Sequence, residues 1–210
     1  MIDKATSKKI INRLKKQYQV SAPLHFNNLY QLCIAVVLSA QTTDNQVNRV
    51  TPLLFKKYPD FYSLAKAHID DVEKIIKSTG FYHNKAKHIV ALAGTIVHTF
   101  NGVVPETREE LMSLPGVGRK SANVILAFGF GIPAIPVDTH VSRVASRIGY
   151  ANSRKPIAIE MAMMESIRKS DWIIAHLLFI YHGRTICHAR KPACSRCPII
   201  LYCHFENKNL

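Results

Sequence analysis

Apolar residues recur along this chain at intervals of three and four, from the first residues to about position 185. That spacing puts them on one face of a helix. It predicts helices over roughly 5–18, 28–40, 43–57, 70–78, 84–100, 107–113, 118–129, 138–148, 156–168 and 171–185. Thr43 and Asp70 stand where N-caps belong. Gly80, Gly102 and Gly149 stand at helix stops, and Pro105, Pro115 and Pro133 fall between segments. CIAVVL, from Cys33, has a strand-like composition, but NNLYQL before it extends the run to helix length. No alternating pair of segments flanks a hairpin turn. The expectation is an all-α fold with short connections, no low-complexity segment and no repeat. The DWIIAHLLFIYHG run with Trp172, the MAMM segment and Cys33 read as core packing. From Cys187 onward the periodicity fades into cysteines, basic residues and prolines, a unit too small to fold on apolar burial alone.

Length and charge narrow the picture. The 210 residues allow one compact domain or two small ones, and 48% hydrophobic content suffices for a core. Lys and Arg number 28 against 14 Asp and Glu, a net charge of +14. Such an excess points to a polyanionic partner, nucleic acid first and an anionic membrane surface second. No apolar run approaches the ~20 residues that span a bilayer. The N-terminal stretch reads as an amphipathic helix without a signal-peptide core. The expected setting is intracellular and reducing, where disulfides are rare.

The cysteines therefore need another reading. Cys187, Cys194, Cys197 and Cys203 are spaced C-x6-C-x2-C-x5-C. Thiolates so crowded usually hold metal. One CxxC flanked by single cysteines suits a compact [4Fe-4S] cluster, while structural zinc and unligated thiols stay open as alternatives. Arg190, Lys191 and Arg196 lie in the same loop and are candidate phosphate contacts.

LPGVGRKSANVIL, Leu114 to Leu126, reads as a tight turn between two helices. Gly116 and Gly118 free the backbone to bend and to approach another chain closely. Amides at the new helix start form an anion site suited to a DNA phosphate read without regard to sequence. Arg119 and Lys120 sit in that first turn, where the helix dipole disfavours cations. The same field, with Arg119 beside it, favours a neutral amine, the form a lysine nucleophile needs. Asp138, in VDTHVSRV, begins the next helix. It fits an N-cap and equally a carboxylate that assists proton transfer or steadies positive charge on a sugar ring.

LPGVGRKSANVIL, VDTHVSRV and the cysteine spacing together resemble the endonuclease III family, helix-hairpin-helix DNA glycosylases with an iron–sulfur cluster. LSAQTTD (38–44), GFYHNKAKHI (80–89) and HGR (182–184) extend the likeness over essentially the whole chain. The resemblance implies a two-lobed α fold. A six-helix barrel would span 22–132, and a cluster domain would combine 1–21 with 133–210. DNA would lie in a cleft with Lys120 on one wall and Asp138 on the other, and the four cysteines would hold the [4Fe-4S] cluster. Gln41 and Phe81 would fill the gap left by a flipped base; Phe81 is aromatic where the family often has an aliphatic wedge. Met112 stands where members can carry an acidic residue near the base pocket. The implied activity is an N-glycosylase for oxidised pyrimidines in duplex DNA with abasic-site lyase activity, cutting on the 3′ side by β-elimination. A monomer acting in the cytoplasm, on the nucleoid if bacterial, is the expected form. The alternatives are a monofunctional adenine glycosylase, which lacks the lysine, and a non-catalytic iron–sulfur DNA-binding protein.

Overall fold

The computed structural model describes residues 1–210. Eleven α-helices and four short 3₁₀ turns account for the regular structure, and there is no strand. The α-helices are α1 (Lys4–Gln17), α2 (Leu29–Leu38), α3 (Asp44–Lys57), α4 (Phe61–Ala65), α5 (Ile69–Ile76), α6 (Tyr82–Thr99), α7 (Arg108–Ser113), α8 (Arg119–Gly129), α9 (Thr139–Ile148), α10 (Pro156–Ser166) and α11 (Trp172–Thr185). None is long and apolar enough to cross a membrane.

Periodicity anticipated every α-helix except α4, whose five residues are too few to display a repeat. Asp70 proves not to be a cap: His68 takes the N-cap position of α5 without a side-chain bond, and Asp70 and Asp71 fall in the first turn. There they still complement the positive end of the helix. CIAVVL lies in α2, where eight of ten residues are buried. A helix apolar on all sides must be surrounded by protein, and burial pushes the Cys33 thiol up to about 12. In MAMM, Met163 is buried while Met161 is 58% exposed, so only part of that segment packs.

Two compact units emerge, residues 22–132 and residues 1–21 with 133–210. In the first, α2 packs against α3, α6 and α8, while α4 and α5 pack on α6. In the second, α9 and α11 form the principal pair and α1 lies on α10 and α11. Ile10, Leu14, Val144, Ile148, Ile159, Met163, Leu178 and Phe179 make up much of its core. The fully buried Tyr150 shares a 2.8 Å hydrogen bond with Ser7, and burial pushes its phenol up to about 12.

Asp171 fastens α1 to the start of α11. Its carboxylate accepts from Lys15 at 2.6 Å and from the Arg168 guanidinium at 2.8 and 3.0 Å. Burial alone would raise this carboxyl, but the two cations outweigh it and hold it below the usual carboxylate range. A carboxyl with a depressed folded pKa stabilises the protein above its unfolded value of about 3.9, and the contribution fades as pH falls through the folded value. Asp171→Asn is therefore expected to lower stability at neutral pH by about 1–3 kcal/mol. It should also flatten the loss of stability on acidification below about pH 4, as thermal unfolding across pH will show.

Candidate active site and cysteine-lined cavity

The turn between α7 and α8 is held from below. Leu114 and Val117 are buried, and Arg108 Nε donates to the Asn123 side-chain oxygen at 2.8 Å, tying α7 to α8. The two glycines of this turn do different work. Gly116 has φ +79, and a Cβ there would lie 3.0 Å from His88 Cβ and from Val37 Cγ1. Gly118 is the N-cap of α8 with ordinary extended backbone, and a Cβ on it would meet open space. Bending thus requires Gly116 alone, which corrects the reading that both glycines serve it. What Gly118 provides is an uncovered helix start. No side chain caps α8, and no acid lies in its first turn. Arg119 is half-buried there and Lys120 exposed.

Asp138 caps α9: its Oδ1 accepts from the Val141 N–H at 2.7 Å. Behind it, Arg143 donates to the Gly183 carbonyl at 2.8 Å and lies 3.2 Å from His140 Nδ1. Burial pulls the His140 imidazole below its ordinary value.

Gln41 and Phe81 are both exposed, and both adopt left-handed backbone, with φ +51 and +48. For residues with a Cβ this costs about 1–2 kcal/mol each. Phe81 is 65% exposed and is the N-cap of α6, again without a side-chain cap. Beneath the two loops lies Lys85, 4% exposed. Its Nζ donates to the Thr79 carbonyl at 2.8 Å and to Thr42 Oγ1, and Thr42 Oγ1 itself bonds to the Thr79 carbonyl. No carboxylate pairs with it, and burial pulls the ammonium down to about 8.

Cys187, Cys194, Cys197 and Cys203 are all free and line one small pocket. Val144, Ile148, Ile186 and Ile199 supply apolar walls. Two arginines one turn apart on α9 hold the loop. Arg143 donates to the Cys187 carbonyl at 3.0 Å; Arg147 donates to the His188 and Ala189 carbonyls at 2.6 and 2.9 Å. Arg147 also lies 3.3 Å from Cys187 Sγ and stacks over Phe205. The buried His182 bonds through Nδ1 to the Tyr18 hydroxyl at 2.9 Å, and its Nε2 lies 3.6 Å from Cys197 Sγ. Burial pushes Cys197 up to about 11 and raises Cys203, so metal must displace protons to bind. An all-sulfur donor set spread around one cavity fits a polynuclear cluster. Arg190 and Lys191 are exposed on the loop between the first two cysteines, Lys191 with φ +49.

Periodicity did not single out Lys85, Arg143 or Arg147. The i, i+4 arginine pair was visible as a stripe on α9, but nothing local marked its face as inward.

Gly116→Ala is expected to lower stability by about 2 kcal/mol, combining left-handed strain with overlap on His88. Gly118→Ala, which meets open space and loses only the N-cap preference for glycine, should cost less than about 1 kcal/mol. Denaturant unfolding of the two variants checks this, and equal losses would contradict it.

Comparison with known proteins gives consistent findings. The family described as HhH-GPD superfamily base excision DNA repair protein matches residues 34–169. Endonuclease III of Synechocystis sp. is 45% identical, over 97% of this chain and 96% of that protein. Endonuclease III of Escherichia coli K12 is 36% identical over 99% of each chain. A solved structure of a trapped endonuclease III–DNA covalent intermediate matches with a TM-score of 0.91 at 40% identity, covering 97% of each chain.

Proposed function

The chain belongs to the HhH-GPD superfamily of base excision DNA repair proteins and, within it, to the endonuclease III family, and from that premise we propose how it works. It is a bifunctional glycosylase and abasic-site lyase that removes oxidised pyrimidines from duplex DNA. The observation that carries this reading is Lys120, exposed in the first turn of a helix whose start is left open. A monofunctional adenine glycosylase of the same superfamily lacks this nucleophile, and a purely DNA-binding protein would leave it idle.

On this reading the open amides of α8 receive a backbone phosphate, their orphan N–H groups and the dipole both favouring an anion. The target base leaves the stack, which costs a few kcal/mol. Gln41 and Phe81 take up the space it vacates, Phe81 by stacking. Arg190 and Lys191 grip the strand further along.

The Lys120 amine attacks C1′ of the deoxyribose. The N-glycosidic bond breaks, and its electron pair departs with the base, which takes up a proton. Loss of a proton from nitrogen and opening of the sugar ring leave an imine between Lys120 and C1′. The imine acidifies the C2′ proton. Its removal drives β-elimination, which breaks the C3′–O bond and releases the 3′ strand with a 5′-phosphate. Hydrolysis of the imine then frees the lysine. Asp138 steadies positive charge developing on the sugar and assists proton transfer. Its cap on α9 fixes the carboxylate through Oδ1.

Cys187, Cys194, Cys197 and Cys203 would hold a [4Fe-4S] cluster, which would give a loop with few apolar residues a rigid core. In a bacterial cell the place of action is the cytoplasm, on the nucleoid.

Borohydride trapping tests the chemistry. Duplex DNA with thymine glycol or an abasic site should yield a covalent adduct that Lys120→Gln abolishes. Asp138→Asn should slow turnover by about a hundredfold or more with little change in melting temperature, since asparagine also caps. Absence of any adduct from the cluster-loaded wild type would remove the lyase. Iron and sulfide analysis tests the cluster: Cys194→Ser should lose the visible absorption and melt earlier. Zinc in the purified wild type would overturn this assignment.

A further inference from the structure

Lys85 is a buried cation without a counter-charge. Taking an ammonium out of water is costly, and a buried charge is ordinarily paired. Here it is held only by Thr42 Oγ1 and the Thr79 carbonyl. A methionine of similar length would fill the same space without that cost. What methionine lacks is directional donors, so the lysine is understood through the two groups it joins.

Those groups belong to different loops. Thr42 follows Gln41 in the connection between α2 and α3, and Thr79 lies two residues before Phe81 in the connection between α5 and α6. Lys85 itself stands one turn into α6, and its backbone N–H donates to the Phe81 carbonyl at 3.1 Å. A second tie runs alongside, from Gln46 Nε2 to Ser78 Oγ at 2.5 Å. Each loop ends in an exposed side chain on left-handed backbone. Such conformations persist only where the surroundings over-determine them.

We infer that Lys85 is a positioning residue that clamps the two loops into one rigid body, so that Gln41 and Phe81 enter the duplex as a pair during base extrusion. This rests on the reading above that both side chains occupy the space left by the base. Without the clamp each loop relaxes separately, and the ordering that was built in must be supplied at the moment of binding.

The test separates extrusion from chemistry. Lys85→Met in the cluster-loaded protein should retain or raise the melting temperature. It should lower kcat/KM for thymine glycol in duplex DNA by about tenfold or more. Cleavage at an abasic site in a single-stranded oligonucleotide, which needs no extrusion, should change by less than about twofold. Amide hydrogen exchange at Gln41–Thr42 and Gly80–Phe81 should accelerate together. Thr42→Val should reproduce the duplex defect, and Thr42→Ser, which keeps the hydroxyl, should not. In a Phe81→Ala background, Lys85→Met should add less than about twofold, because the two act as a unit. Equal losses on duplex and single strand, full additivity, or unchanged exchange would each overturn the clamp while leaving the loop reading intact. If Phe81→Ala alone leaves duplex excision unchanged, the loop reading fails and takes the clamp with it.

Discussion

Every α-helix leaves the amides of its first turn without partners inside the helix, and a chain of eleven short helices meets that demand eleven times. Six starts answer with a side chain: Asp3, Asn28, Thr43, Asp60, Thr107 and Asp138 each accept from the turn they precede. α5 and α11 have aspartate at or near their starts, and α10 begins with proline, which has no N–H to satisfy. Only α6 and α8 have none of these. Their N-caps are Phe81 and Gly118, and each carries cations in its early turns where others carry acids. Two donor-rich ends are left facing outward in a protein of charge +14. On the function proposed above, a DNA phosphate supplies at α8 what the chain withholds.

That arrangement works only on a stiff support. The α7–α8 turn is pinned by Leu114, Val117 and the Arg108–Asn123 bond, and Gly116 bends beneath His88. The Phe81 start is backed by Lys85 and the knot of bonds around Thr79. The cysteine loop solves the same problem by other means. It lacks the apolar residues for a core of its own, so arginines from α9 hold its carbonyls while four thiols face an apolar-walled space. A cluster bound there would also contribute folding energy.

Much of this was legible in the spacing of residues. Long helices announced themselves because burial imposes a 3.6-residue period, and the cysteines because four thiols in seventeen residues have few uses. α4 escaped because one turn has no period, and Asp70 was misplaced because an acid favours a first turn as much as a cap. Gly116 and Gly118 looked alike in sequence; only the neighbours of an added Cβ tell them apart. Lys85 was illegible for a deeper reason. A lysine in a helical pattern reads as solvated, and its burial depends on a loop more than forty positions earlier. Arg143 and Arg147 likewise gain their meaning from carbonyls beyond residue 180.

Asp138 carries a quieter implication. Its helix uses one carboxylate oxygen, and an amide would serve that purpose equally well. Proteolytic surveillance in a cell detects unfolding and is blind to lost reactivity. On the role proposed for it, a copy with the amide would persist as a well-formed occupant of damaged sites, competing with active copies. Under that role, loss of this carboxylate would be felt by the genome and not by protein turnover.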